Sequence, residues 1–245
     1  MVCSGYLIEG GERVLTLEGV KLRQGDFTLT ADLQVMPGQI IAVMGPSGGG
    51  KSTLIAAIAG FLRPEAGHIL WNGADLTDIP PGKRPIAVLF QDNNLFPHLT
   101  VKQNLALVIR PSGWISVAET QQIDAVLHRV GLQGLGPRKP GALSGGQQSR
   151  AALARVLLSG RPLVLLDEPF AALGPGLKDE MLDLTLAAFG ERGQTVLMVT
   201  HDPDDARRIA AMVIAVGAGL VHAPVPTDAF LASPPPGLQA YLGQK

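Results

Sequence analysis

The chain has almost no cysteine: Cys3 is the only one in 245 residues. No intrachain disulfide can form and no cysteine-based zinc cluster can assemble, which fits a reducing compartment. An excess of charge is missing too. The 20 basic residues balance 21 acidic ones for a net charge of -1, so no global field favours nucleic acid as a partner. Residues 1–14 have neither the basic start nor the continuous apolar stretch of a signal peptide, and no lipoprotein-like run precedes Cys3. The most membrane-like segment, residues 209–225, contains no Lys, Arg, Asp or Glu but is broken by Gly217, Gly219 and Pro224. It falls short of the roughly 20 apolar residues that a span requires. It reads as a buried helix end followed by a hairpin, and membrane association is expected only through a partner. His68, His98, His128 and His222 stand isolated, without metal-ligand spacing. Internal repeats and low-complexity tracts are also absent.

What is present is enough apolar material for a full core, 46% hydrophobic residues against 17% charged. Short apolar runs at residues 40–44, 163–166 and 196–199 are bounded by turn signals and separated by helical patterns, as in the buried parallel strands of an α/β sheet. Phe27, Leu29, Ala31 and Leu33 alternate with polar or small residues, predicting an antiparallel strand in an N-terminal β-layer, with Phe27 in its core. Residues 91–160 carry no strand signal, whereas 117–130 and 151–158 have helical spacing. The expected organisation is a single domain. Residues 14–91 and 161–231 form its α/β core, 92–160 an inserted helical subdomain, and 1–13 and 232–245 terminal extensions. A last helical turn or two is expected over residues 237–242.

The chemistry starts at Gly45-Pro46-Ser47-Gly48-Gly49-Gly50-Lys51-Ser52-Thr53, placed between the strand 40–44 and a helix from Lys51 to about Ala59. Gly, four residues, then Gly-Lys-Ser is the spacing of a phosphate cradle. Glycines let backbone N–H groups converge on phosphate oxygens, and the helix N-terminus adds partial positive charge. Lys51 is expected to reach the β- and γ-phosphates of ATP, and the Ser52 hydroxyl to ligate Mg²⁺. A second half follows at residues 163–168, where a buried strand ends in Asp167-Glu168. Asp167 suits the Mg²⁺ shell and Glu168 the orientation or deprotonation of attacking water. Adjacent acids after a strand are a weak signal alone and a strong one beside the cradle.

Leu143-Ser144-Gly145-Gly146-Gln147, followed by Gln148-Ser149-Arg150 and a helix, resembles the signature of the ATP-binding-cassette family. Physically it is a second anion site at a helix N-terminus. The resemblance, spanning about residues 14–231, implies a P-loop ATPase fold. In it the signature serves the ATP of a second copy, and the two copies sandwich ATP head to tail. It also implies that Gln91 is the glutamine-loop residue, sensing Mg²⁺ and the transmembrane partner. His201, in Thr200-His201-Asp202, would be the switch histidine at the γ-phosphate. The chain is most similar to the ATPase subunits of bacterial importers. Within those, residues 84–101, with the pair Asn93-Asn94, and residues 60–64 resemble the thiamine-importing branch. The partners then implied are a transmembrane permease and, indirectly, a periplasmic substrate-binding protein, at the cytoplasmic face of the inner membrane. Importers of an inorganic anion, a metal or a polyamine are the alternatives.

Two departures from the family pattern stand out. Phe170-Ala171-Ala172-Leu173-Gly174-Pro175 has Gly174 where the family has an interfacial aspartate. Either coupling of the two sites is loosened, which leaves open a hydrolysis-impaired nucleotide sensor, or neighbouring backbone groups suffice. Residues 20–26 contain no aromatic to stack on adenine, leaving Arg23 as a candidate base contact through its guanidinium plane. Ser149 replaces the usual Gln or Arg after the signature and is expected to be tolerated. Cassette ATPases of chromosomes are disfavoured, since no sustained heptads lie between Ser52 and Ser144. With the sequence ending soon after the hairpin, a C-terminal regulatory domain is not expected.

Overall fold

The computed structural model describes residues 14–235 except 113, together with residues 238 and 239. Its strands are β1 (Leu15–Gln24), β2 (Phe27–Val35), β3 (Ile40–Met44), β4 (Ala66–Trp71), β5 (Ala74–Asp75), β6 (Ile86–Leu89), β7 (Leu163–Asp167), β8 (Thr195–Val199), β9 (Met212–Gly217), β10 (Leu220–Val221) and β11 (Val225–Pro226). The helices are α1 (Lys51–Ala59), α2 (Val101–Ile109), α3 (Val117–Arg129), α4 (Gly145–Ser159), α5 (Pro175–Gly190), α6 (Pro203–Ile209) and α7 (Thr227–Ala232).

The strands run in the order β5-β4-β1-β2-β10-β9-β3-β8-β7-β6, with β11 also paired to β9. The run β9-β3-β8-β7-β6 is parallel throughout, whereas β1, β2, β4 and β5 form the antiparallel layer. This is the expected mostly parallel α/β sheet with an antiparallel N-terminal part. In the parallel part alternate residues serve opposite faces. Leu163, Leu165, Leu197 and Val199 join the cluster that holds α1 and the β1–β2 layer. Val164, Leu166, Val196 and Met198 join the cluster built from α2 to α5. Burial on both faces is why these strands read as unbroken apolar runs.

Each of α2, α3 and α4 opens with a capping box, in Thr100/Gln103, Ser116/Glu119 and Ser144/Gln147. Such reciprocal caps contribute about 1 kcal/mol each. The Ser/Thr-x-x-Glu/Gln spacing was legible in the sequence and would have located α2, which hydrophobic spacing did not single out. It also marks the start of α4 at Gly145, ahead of the apolar spacing from 151, in keeping with a signature at a helix N-terminus.

One local expectation needs correction and another holds. Residues 209–225 are, as expected, a buried helix end followed by a hairpin: α6 ends at the buried Ile209, and β9 then enters the sheet between β3 and β10, pairing antiparallel with β10 across the turn at Ala218 and Gly219. Freedom from charge there reflects the burial of β9 on both faces, not a membrane span. Phe27 is half-buried rather than core, and its ring lies against the cradle at Gly50. The helical turn expected over 237–242 lies mostly outside the described residues, although Leu238 is buried beside Phe230. No described helix is long and apolar enough to cross a membrane.

Candidate active site

The parallel register aligns the strand ends that carry chemistry. Val43 and Asp167 both pair with Val199, Met44 pairs with Ala215, and Leu89 with Leu166. Gly45, Glu168, Thr200-His201 and Gln91 therefore all emerge within a residue or two of one line, at the carboxyl ends of four neighbouring strands. That edge is where ligands bind in parallel α/β sheets.

The cradle joins β3 to α1. Gly45 passes so close to β9 that a Cβ there would come within 1.9 Å of the Val216 carbonyl oxygen. Gly50 sits at φ 105°, where a Cβ would meet the Phe27 ring at 2.9 Å. Both are positions only glycine fills. Gly50 is also the N-cap of α1, and no side chain caps the helix, so the cradle leaves the first-turn amides to a ligand. Pro46, Ser47, Gly48 and Gly49 complete the turn, held by a Gly49 N–H bond to the Pro46 carbonyl at 3.0 Å. The Lys51 ammonium donates to the carbonyls of Gly45 at 2.8 Å and Pro46 at 2.9 Å. Burial lowers its pKa, against the opposing pull of the Glu168 and Asp167 carboxylates.

Ser52 donates from Oγ to Asp167 Oδ1 at 3.4 Å. A hydroxyl and a carboxylate side by side are the hard oxygen donors that suit Mg²⁺. Burial raises the Asp167 pKa and the nearby Glu168 charge adds to this, with the Ser52 bond and Lys51 opposing. Glu168 stands at φ 45°, a left-handed conformation uncommon outside glycine, with its N–H bonded to the Val199 carbonyl at 3.3 Å. This turn directs its carboxylate toward β8, where Oε2 lies 3.5 Å from His201 Nδ1. Backbone strain of about 1–3 kcal/mol at such a residue persists only where the surroundings impose it.

Gln91 is exposed, two residues beyond β6. In the signature, Leu143 is buried, and Ser144 and Gln147 exchange hydrogen bonds of 3.3 and 3.1 Å. Gly145 faces open space, but a Cβ on Gly146 would come within 2.3 Å of Leu177 Cδ2 on α5. One glycine leaves the helix end open and the other lets α5 approach. Ser149 is buried against the core.

Arg23 is not brought to the cradle. It lies on the same face of β1 as Lys21, and both reach Glu65, at 3.8 and 3.3 Å. Strand alternation puts Gln24, with Val20 and Leu22, on the face that meets α1, and Gln24 Oε1 accepts from the Thr53 hydroxyl at 3.1 Å. The period-2 burial of Leu22 was the available signal for this assignment.

Sequence reasoning missed two further residues, Arg84 and Asn104. Arg84, only 1% exposed, donates to the carbonyls of Ile79, Ala57, Ile58 and Thr77 and so closes the C-terminal end of α1. Asn104, fully buried, hydrogen-bonds Phe96, Leu99 and Thr100. Both Asn93 and Asn94 adopt positive φ, at 60° and 48°, a conformation that asparagine tolerates better than most residues.

A cradle at one strand end, an acid pair at another and a histidine beside the second acid, with a separate glycine-rich helix start, define a P-loop ATPase of the cassette class. The chain belongs to the ABC transporter family, which it matches over residues 29–171. It is 59% identical over 230 residues to the thiamine import ATP-binding protein of Cereibacter sphaeroides, covering 94% of this chain and all of that one. The corresponding protein of Ruegeria sp. is 56% identical with the same coverage. Among solved structures, cbiO1 from Clostridium perfringens, part of the transporter complex cbiONQ, superposes with a TM-score of 0.80 at 28% identity, covering 91% of this chain and 92% of that one. A dimeric ATP-binding cassette in a post-hydrolysis state bound to ADP and Pi gives 0.74 at 29% identity, covering 87% and 98%.

Proposed function

We propose that the chain is the ATP-hydrolysing subunit of a bacterial thiamine importer, working as a head-to-tail dimer on a transmembrane permease at the cytoplasmic face of the inner membrane. A periplasmic binding protein delivers the cargo to the permease. The observation that carries the hydrolytic part is the 3.5 Å approach of Glu168 to His201 beside the cradle. Near-full-length identity to thiamine import ATP-binding proteins supports the cargo, because the cassette itself contains no substrate chemistry.

The cradle from Gly45 to Thr53 binds the phosphates of ATP through its amides and Lys51. Ser52 and Asp167, with Gln91 at the adjoining strand end, would hold Mg²⁺. When bound, that ion supplies positive charge against the phosphate oxygens. Glu168 accepts the proton of the attacking water, and His201 fixes the Glu168 carboxylate and the γ-phosphate relative to each other. Leu143 to Gln147 act on the ATP held by the second copy.

Uptake of labelled thiamine, with Lys51→Ala and Glu168→Gln at native expression levels, tests the assignment. Loss of uptake in both, with other nutrients unaffected, is expected. Unchanged thiamine uptake would remove the cargo assignment. Phosphate release from Mg-ATP by the chain with its permease separates a working ATPase from a nucleotide sensor.

A further inference from the structure

One lysine holds the His201 loop from both sides. Lys178 Nζ donates to Asp202 Oδ2 at 2.7 Å and pairs with Asp205 Oδ1 at 2.7 Å. The second oxygen of Asp205 accepts from the Thr200 hydroxyl at 2.8 Å, and Thr200 Oγ1 in turn accepts from the Asp202 N–H at 3.1 Å. His201 is thus bracketed, at positions 200 and 202, by a closed network anchored on α5. The side chains of Lys178 and Asp205 are only 20% and 12% exposed, so this is not a solvent-screened surface pair. Burial opposes the lysine charge, but the bonds and charges of Asp202 and Asp205 outweigh it and raise the pKa.

Lys178 lies in the first turn of α5. The Lys178 N–H bonds the Gly174 carbonyl at 2.9 Å. Gly174, the N-cap, supplies no side-chain cap, and the Lys178 side chain ties this first turn to Asp202 and Asp205. The residue before Lys178 is Leu177, whose methyl groups fill the space left by Gly146 at the start of the signature helix. Consecutive residues of one helical turn therefore touch the histidine loop and the signature.

We propose that Lys178 is a positioning residue for hydrolysis: it holds His201 over Glu168 and, through the same turn as Leu177, ties that histidine to the start of α4. This rests on the reading of His201 and Glu168 as the hydrolytic pair. Movement of the signature against a second copy's nucleotide then reaches His201 through a single helical turn, without the aspartate that Gly174 replaces.

The test is Mg-ATP hydrolysis by the full chain assembled with its permease, comparing Lys178→Met, Lys178→Arg, His201→Ala and the Lys178→Met/His201→Ala double variant. Lys178→Met should lower kcat about tenfold and leave KM for ATP within about twofold, since misplacing a positioned group costs rate rather than binding. Lys178→Arg should restore most of the rate, and Lys178→Met should add no further loss on top of His201→Ala. Asp205→Asn, which preserves shape, should give the same kcat-only loss and serves if Lys178→Met does not fold. The proposal is overturned if kcat stays within about twofold of native, or if Lys178→Met costs the double variant as much as it costs the native chain. Full hydrolysis by His201→Ala would instead remove the role of His201, and the clamp's role with it.

Discussion

Glu168 and His201 meet across two strand ends, Oε2 to Nδ1 at 3.5 Å, because Glu168 takes a left-handed turn at φ 45° immediately after β7. An extended residue at that position would continue along the strand instead of turning toward β8. The backbone turn therefore places the acid beside the histidine.

Glu168→Gln and His201→Ala should each retain ATP binding and lose hydrolysis, by about 10²–10⁴-fold for the lost base. Nucleotide binding measured by fluorescence and phosphate release measured under the same conditions check this together. Retained hydrolysis in Glu168→Gln would exclude it as the base.

Gly174→Asp should be accommodated. The backbone at φ -66° and ψ 158° suits any residue, and a Cβ there meets nothing within 4 Å. The carboxylate would cap α5 and stabilise the chain by about 0.5 kcal/mol, with turnover within about twofold because Lys178 already holds the turn. Thermal unfolding and steady-state hydrolysis are the two measurements. A large gain in turnover would mean that Gly174 does impair coupling.

Arg84→Met should cost about 3 kcal/mol, because it strips the donor from four carbonyls in a buried setting. Arg84→Lys should not rescue it, since one ammonium cannot spread over the positions that the planar fork reaches. Urea unfolding decides the matter, and a loss below about 1 kcal/mol would contradict the role given to Arg84.

Gly146→Ala should destabilise by about 1–2 kcal/mol through contact with Leu177, and Leu177→Ala in the same chain should recover part of that loss. Additive losses in the double variant would mean that the two residues do not share the space described.

Glu119 is held to a pKa of about 2, first by the Ser116 N–H bond and then by Arg110 and the Ser116 hydroxyl. A depressed carboxyl stabilises the fold above its unfolded pKa of about 4.5 and loses that contribution as pH falls toward about 2. The difference in urea midpoint between the native chain and Glu119→Gln should therefore shrink as pH is lowered through that window. A constant difference would place the effect outside the ionised carboxylate.

The cradle and the strand-end acids were legible in the sequence because each is a local device, whereas His201 and the role of the signature were read from the family resemblance. Backbone amides around a phosphate demand glycines at fixed spacing, and buried parallel strands demand unbroken apolar runs. The capping boxes at Thr100, Ser116 and Ser144 are local in the same way. What only the tertiary structure decided are relations between distant segments. Lys178 is an ordinary helical lysine until α6 brings Asp202 and Asp205 against it, and Arg84 is an ordinary loop arginine until the C-terminal end of α1 supplies carbonyls. Arg23 and Gln24 are neighbours in the sequence, but strand alternation sends one to Glu65 and the other to Thr53. A residue's type fixes what it can bond to, whereas its partner is set by which elements the sheet brings alongside it.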